Sequence, residues 1–122
     1  MIGTLLVCAS LLAVDGDTIK CDGVNMRDMG DGAPFVSGYD TPEIGRNAEC
    51  DAERRLGEAA KARMSQLLAT PGVQIERSGK EDRYDRPLVR AILPTGQTIG
   101  NVLIAEGLAV EWRPLQSWNW CN

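Results

Sequence analysis

The chain has 122 residues, a length that fits one domain (residues 1–122) with one modest core. Aromatic residues are few, so we expect a mostly aliphatic core. The net charge of -4 counts against a large nucleic-acid-binding surface, which is usually basic, but it allows a small cationic site. The absence of histidine excludes Ser-His and Cys-His catalysis and histidine zinc sites.

The first element is an almost wholly apolar segment, residues 1–14. It lacks a clear positive n-region and cleavage site, and it is too short to span a membrane. We therefore predict a buried strand over residues 5–14, in an exported protein (periplasmic or secreted) whose leader has been removed. Residues 18–21 continue as a strand, the Asp22-Gly23 turn predicts a hairpin, and residues 24–29 return.

The second half of the chain carries the helix signals. Residues 30–38 have loop composition, and a helix begins near Asp51, with a good N-cap and apolar residues at helical spacing. Pro71-Gly72 ends it. Further strands are predicted at 73–77, 88–93 and 108–112, with a short helix at 101–106. This order indicates a mainly β fold, a five-stranded OB-fold barrel with one main helix and a short second one.

Two acidic clusters stand out: Asp15-Gly16-Asp17-Thr18 and Asp40-Thr41-Pro42-Glu43. Each cluster alone is more often a plain turn. If the fold brings them together, their carboxylates concentrate negative charge that a hard cation would neutralise, and such oxygen ligands suit calcium or magnesium. A metal-dependent site acting on an anionic substrate is the resulting hypothesis.

These clusters, followed by Asp82-Arg83-Tyr84-Asp85-Arg86 and closed by Glu106-Gly107-Leu108-Ala109, resemble the motifs of the thermonuclease (staphylococcal nuclease-like) family. The resemblance covers residues 5–113. It implies an OB-fold barrel, a Ca²⁺ site and hydrolysis of phosphodiester bonds in DNA and RNA.

The resemblance also implies roles for individual residues. Asp17, Asp40 and the backbone carbonyl of Thr41 would be the Ca²⁺ ligands, and Glu43 would orient or deprotonate the attacking water. Asp15 would support the turn.

Three residues of the Asp82–Arg86 motif are implied to meet the substrate. Arg86 would stabilise the phosphate in the transition state, and its alternative is a solvated loop arginine. Arg83 and Tyr84 would contact the bound nucleotide, with a surface ion pair and a packing tyrosine as equally probable alternatives.

One position departs from the family pattern. Phe35 stands where the family has an arginine, five residues before Asp40. Either that arginine is lost, or residues 31–38 are an insertion and Arg27, on the returning strand of the hairpin, replaces it. The tight hairpin and the loop composition favour the insertion.

Cysteines and tryptophans leave questions open. Cys8, Cys21, Cys50 and Cys121 permit two disulfides in three pairings, which spacing does not decide, although Cys8–Cys121 is one candidate. We expect the three C-terminal tryptophans to pack a terminal segment onto the barrel, with base stacking as the alternative.

Three functions remain. The first is a Ca²⁺-dependent nuclease of low sequence specificity, a monomer acting on DNA or RNA with no membrane partner. The second is a catalytically weakened OB-fold module that binds nucleic acid. The third, a disulfide-stabilised domain with an unrelated partner, requires the acidic clusters to be plain turns.

Overall fold

A computed structural model describes residues 3–121. In this range the strands are β1 (Thr4–Leu6), β2 (Leu11–Ala13), β3 (Thr18–Cys21), β4 (Val24–Asp28), β5 (Gly38–Asp40), β6 (Gln74–Glu81), β7 (Pro87–Ile92) and β8 (Val110–Trp112). The α-helices are α1 (Asp51–Leu68) and α2 (Ile99–Ala105), and Gly45–Asn47 is one 3₁₀ turn. The mainly β fold with one long and one short helix is confirmed.

The N-terminal apolar run does not form the single buried strand that we predicted over residues 5–14. It divides into β1, paired with β6, and β2, paired with β3. The bend between them is fixed by a Cys8–Cys21 disulfide and by the Ser10 N–H, which donates to Asp22 Oδ1 at 2.7 Å. Leu5, Val7 and Leu12 are exposed, since these edge strands cover little of the core.

The division gives a six-stranded sheet rather than the predicted five strands, in the order β1-β6-β7-β4-β3-β2. The chain passes from edge strand β1 to edge strand β2 through residues 7–10, a link that can span at most about 18 Å. A flat six-stranded sheet would separate its edges by about 24 Å. The sheet must therefore curl, as in an OB-fold.

The β3–β4 hairpin was predicted correctly. Asp22 and Gly23 both have positive φ (49° and 87°), as a type I′ turn requires. This turn sets the register that pairs Thr18 with Arg27. Strand β4 then pairs in parallel with β7, where Arg27 is aligned with Leu88. The hairpin thus delivers one acidic cluster and one arginine to the same end of the sheet.

Helix α1 begins at Asp51. Its N-cap is Cys50, one residue before the N-cap that we predicted at Asp51. Its buried face contains Glu53, Gly57, Ala60, Met64, Leu67 and Leu68. The apolar part of this face joins a mostly aliphatic core that includes Ile19, Val89 and Leu103, together with the aromatic Tyr39. The buried carboxylate at position 53 breaks the apolar pattern and reaches the site described below.

A second, two-stranded sheet pairs β5 with β8, so that Asp40 lies opposite Val110. Strand β5 was not anticipated from the sequence. The preceding loop is held because Arg90 donates to the carbonyls of Gly30 (2.9 Å) and Gly32 (2.8 Å). Within the described residues, no helix is long and apolar enough to cross a membrane.

Candidate active site

The two acidic clusters lie against each other. A Cβ atom on Gly16 would lie 2.6 Å from Thr41 Cγ2, so only glycine permits this approach. The Thr41 N–H lies 3.4 Å from Asp17 Oδ2. The prediction that the fold brings the two clusters together is therefore supported by direct contacts between Gly16 or Asp17 and Thr41.

Arg27 links the two clusters. Its Nη1 lies 2.7 Å from Asp17 Oδ2, and its Nη2 donates to the carbonyl of Tyr39, the residue before Asp40. Asp17 is buried and Arg27 only partly exposed. The guanidinium is therefore the cation that balances the buried Asp17 carboxylate.

Burial and crowding disturb the acid–base properties of the cluster. Burial raises the pKa of Asp17 to about 8, against the opposing effect of Arg27, and Asp15 and Asp40 raise it further. The pKa values of Asp40 and Glu43 are also raised, mainly by burial and partly by neighbouring carboxylates. The crowded site therefore disfavours the charged form of these three carboxyl groups, and Asp17 is affected most.

Glu53 anchors the segment that carries Glu43. Its Oε2 accepts from the Glu43 N–H at 3.1 Å, and its Oε1 accepts from the Glu49 N–H at 2.8 Å. Gly57, one turn further along α1, leaves room for the Glu43 carbonyl, which would lie 2.4 Å from an added Cβ. Sequence reasoning missed this function because an acid in the first helical turn is usually explained by the helix dipole.

Arg86 is fixed by two contacts. Its Nε lies 2.7 Å from Asp82 Oδ2, and its Nη1 donates to Thr18 Oγ1 at 3.0 Å. Thr18 Oγ1 lies 3.3 Å from Asp17 Oδ1, so the arginine is connected to the buried carboxylate. The remaining nitrogen, Nη2, has no hydrogen-bond partner within residues 3–121 and is available to a ligand.

Arg83 and Tyr84 lie on the β6–β7 turn and are exposed. Arg83 Nη2 donates to the Tyr84 hydroxyl at 2.8 Å, and both Arg83 and Arg86 lie over the Tyr84 ring, at 4.9 Å and 5.5 Å from its centroid. The tyrosine therefore holds two cations close together without burying them.

These residues share one cavity of about 660 Å³, here called the site cavity. Seven of the eight predicted site residues line it, and the exception is Asp17, which lies behind Arg27. Phe35 also lines it but belongs to the loop between β4 and β5, where its side chain is largely exposed. Arg27, and not position 35, supplies an arginine to this cavity.

The donor set predicted from the sequence suits a hard cation, although Asp17 lies outside the lining of the cavity. Asp17, Asp40 and the Thr41 carbonyl offer oxygen atoms only, and hard divalent cations prefer oxygen. Among the described residues a different group, formed by Glu49, Glu53 and Cys121, has three side-chain ligand atoms within 4.8 Å of one another. That group is a poor metal site. Cys121 is disulfide-bonded, Glu49 is exposed, and both carboxylate oxygens of Glu53 already accept hydrogen bonds from backbone N–H groups.

Comparison with known proteins decides the family. A family model described as staphylococcal nuclease homologue matches residues 35–119, more than half of the chain. The chain belongs to this family. The matched range of this staphylococcal nuclease homologue contains Asp40, Thr41, Glu43 and the Asp82–Arg86 motif, whereas Asp17 and Arg27 precede it. A search of curated proteins found no match.

The cysteines form two disulfides, Cys8–Cys21 and Cys50–Cys121. Two disulfides were predicted, but the candidate pair Cys8–Cys121 is wrong. Cys8 lies in the link between the sheet edges, directly beside Cys21 of β3, whereas Cys121 lies beside the N-cap of α1.

Proposed function

We propose that the protein is a calcium-dependent nuclease that hydrolyses phosphodiester bonds of DNA or RNA with little sequence specificity. The observation that carries the proposal is the site cavity, whose lining contains Glu43 and Asp40 together with Arg27, Arg83 and Arg86. Family membership supports a nuclease or a nucleic-acid-binding function. A binding module alone would not require a carboxylate base beside a cluster of arginines.

The proposed Ca²⁺ ligands are Asp17, Asp40 and the Thr41 carbonyl. A bound Ca²⁺ would supply electrostatic stabilisation of a phosphate oxygen. It would also neutralise the carboxylates that burial has pushed to higher pKa. The guanidinium of Arg27, which balances Asp17 in this structure, would then be free to donate to the substrate.

Glu43 is the proposed general base. Its side chain is exposed to the cavity, while its backbone N–H is fixed by Glu53. Burial and the nearby carboxylates raise the pKa of Glu43, which increases its affinity for a proton taken from water. The fixed backbone keeps this carboxylate in position without restricting its access to solvent.

The proposed phosphate ligands are Arg27 and Arg86. An arginine stabilises phosphate well because its guanidinium stays charged and its hydrogen bonds to phosphate oxygens are charge-assisted. Arg86 keeps one nitrogen available after binding Asp82 and Thr18, so its orientation is set before substrate arrives. Such preorganised donors are effective because no reorganisation is needed during the reaction.

The test is cleavage of single-stranded DNA with Ca²⁺ and with EDTA, using the parent and Glu43→Gln. We expect cleavage only with Ca²⁺, and a loss of about 100-fold or more in kcat for the variant. Glu58→Gln, which removes an exposed charge on α1 outside the site cavity, is the matched control. Its rate should equal that of the parent.

Two other outcomes would refute the nuclease. Salt-sensitive binding without cleavage would indicate the weakened binding module of the same family. Neither binding nor cleavage would indicate a disulfide-stabilised domain with an unrelated partner.

A further inference from the structure

The C-terminal segment, residues 113–121, lies along the site cavity. After β8 ends at Trp112, the chain continues without a helix or strand, and Gln116, Ser117, Trp118 and Trp120 line the same cavity as Glu43. A second cavity of about 330 Å³ is also lined by Trp118, together with Asp40. The segment therefore contributes a wall to the proposed catalytic centre.

Both ends of this segment are fixed. Its start continues from β8, which is paired with β5, and its end is bonded through Cys121 to Cys50. Cys50 is the N-cap of α1, the helix whose first turn holds the backbone of Glu43 through Glu53. The position of the segment relative to Glu43 is thus set by a covalent bond and by hydrogen bonds.

The aromatic residues of the chain are concentrated here. The sequence has three tryptophans, two tyrosines and one phenylalanine, and all of them except the buried Tyr39 line the site cavity. Phe35, Tyr84 and Trp118 remain 61%, 64% and 59% exposed. Single exposed aromatics are ordinary, but several in one cavity mark a binding surface.

Packing alone does not explain these exposures. Trp120 meets Trp118 edge-on, with ring centroids 6.2 Å apart, which leaves Trp118 exposed. Phe35 has a φ of 67°, a left-handed conformation that is costly for a large side chain. The expectation that the tryptophans only pack the terminal segment is therefore too narrow for Trp118.

We propose that Trp118 and Phe35 form a base-stacking subsite for single-stranded nucleic acid, held at the catalytic centre by the Cys50–Cys121 disulfide. The inference rests on the proposed function only because the subsite and the proposed catalytic residues line the same cavity. Stacking faces together with cations characterise proteins that bind single strands without reading their sequence. Paired bases in a duplex are covered by their neighbours, so the subsite favours unpaired bases.

Charge supports this choice of ligand chemistry. The three arginines of the cavity face five carboxylates, Asp40, Glu43, Glu49, Glu53 and Asp82. Attraction of the phosphate backbone to this surface is consequently weak, and the whole chain is acidic. Stacking supplies affinity that does not depend on net charge.

The test measures binding in EDTA, where no cleavage is expected, by fluorescence anisotropy of labelled oligonucleotides. The probes are oligothymidylate and an abasic oligonucleotide of the same length. We expect Trp118→Ala to raise the Kd for oligothymidylate about 5- to 100-fold, the range for one lost stacking contact. The Kd of Trp118→Phe for oligothymidylate should stay within a few fold of the parental value. The abasic probe should bind the parent and Trp118→Ala with equal Kd.

The matched control is Leu115→Ala in the same segment. Leu115 is fully exposed and does not line the site cavity, so its truncation should leave both Kd values unchanged. Thermal unfolding of every variant checks that the fold is intact, which we expect because Trp118 is mostly exposed.

Each result is decisive. The subsite is refuted if the parent does not bind oligothymidylate, if Trp118→Ala binds it as the parent does, or if both probes lose affinity equally. The subsite stands, and the nuclease fails, if stacking-dependent binding is observed but added Ca²⁺ produces no cleavage. Cleavage with an unchanged KM in Trp118→Ala retains the nuclease and eliminates the subsite.

Discussion

At the scale of single residues, Arg27 differs from an ordinary surface arginine because its side chain is mostly buried and paired with the buried Asp17. It is opposite Thr18 in the hairpin register, and it contacts Asp17 of one acidic cluster and the carbonyl of Tyr39, the residue before the other cluster. Phe35, in contrast, projects from a loop that follows β4. The insertion hypothesis for residues 31–38 is compatible with this arrangement, and the catalytic role of Arg27 remains a prediction.

Arg27→Ala tests that role. We expect kcat on single-stranded DNA with Ca²⁺ to fall by about 100-fold or more, because a cationic donor to the transition state is lost. Arg27→Lys should recover only part of the rate, since an ammonium cannot bind phosphate at two oxygens. Arg55→Ala, on the exposed face of α1, is the control. Cleavage by Arg27→Ala at the parental rate would end the insertion interpretation of the site.

The sequence reveals a site residue when that residue belongs to a short motif, and it does not when the role of the residue depends on a contact with a distant part of the chain. Asp40, Glu43 and Arg86 belong to short motifs, so their approximate positions follow from motif order. Glu53 cannot be found in this way, because its partner Glu43 N–H belongs to a loop ten residues earlier that folds back onto α1. Trp118 likewise acquires its place from a distant disulfide.

At the scale of elements, the junction between α1 and the Glu43 loop depends on one side chain. Glu53 accepts hydrogen bonds from two backbone N–H groups, and without its carboxylate both donors would lose this partner. An unsatisfied buried donor costs about 1–3 kcal/mol. The helix therefore does more than cover the sheet, since it fixes the loop that carries the proposed base.

Glu53→Gln is expected to lower both stability and activity. An amide keeps one acceptor but directs an NH₂ group at the other N–H, so the free energy of unfolding should fall by about 1–3 kcal/mol. Urea denaturation measures this loss, and kcat should fall while KM changes little. Glu58→Gln on the same helix provides the comparison. Parental stability and kcat together would show that the loop needs no such anchor.

The elements themselves were predicted with uneven success for physical reasons. The hairpin and the stop of α1 were found because Asp-Gly and Pro-Gly impose local conformations. The division of the N-terminal run was missed, since apolar composition does not reveal a bend that a disulfide and the Ser10–Asp22 hydrogen bond fix. Strand β5 was missed because its partner, β8, lies some seventy residues away in the chain.

At the scale of the whole molecule, the buried acids couple stability to pH. Burial raises the pKa values of Asp17, Asp28, Asp40 and Glu43 above those of the unfolded chain. Between pH 4 and pH 8 the folded protein therefore holds more protons than the unfolded chain. Stability from this source is complete below pH 4 and is lost as the pH rises towards 8.

Thermal unfolding in EDTA should accordingly show a Tm that falls between pH 5 and pH 8. Asp82 and Glu106 do not disturb this window, because their pKa values are lowered and they titrate below it. Asp17→Asn should flatten the slope by removing the carboxyl with the pKa of about 8. Ca²⁺, which competes with protons for the proposed ligands, should stabilise the parent increasingly as the pH rises. A flat or rising Tm in EDTA would contradict this account.

The Cys50–Cys121 bond has a consequence for where such an activity can be expressed. Disulfides form in oxidising compartments, whereas cysteine thiols stay reduced in the cytosol. While the two thiols are reduced, the wall that carries Trp118 loses its covalent attachment to α1. In a reducing compartment the proposed stacking wall would be less firmly held beside Glu43, and binding that depends on Trp118 should weaken.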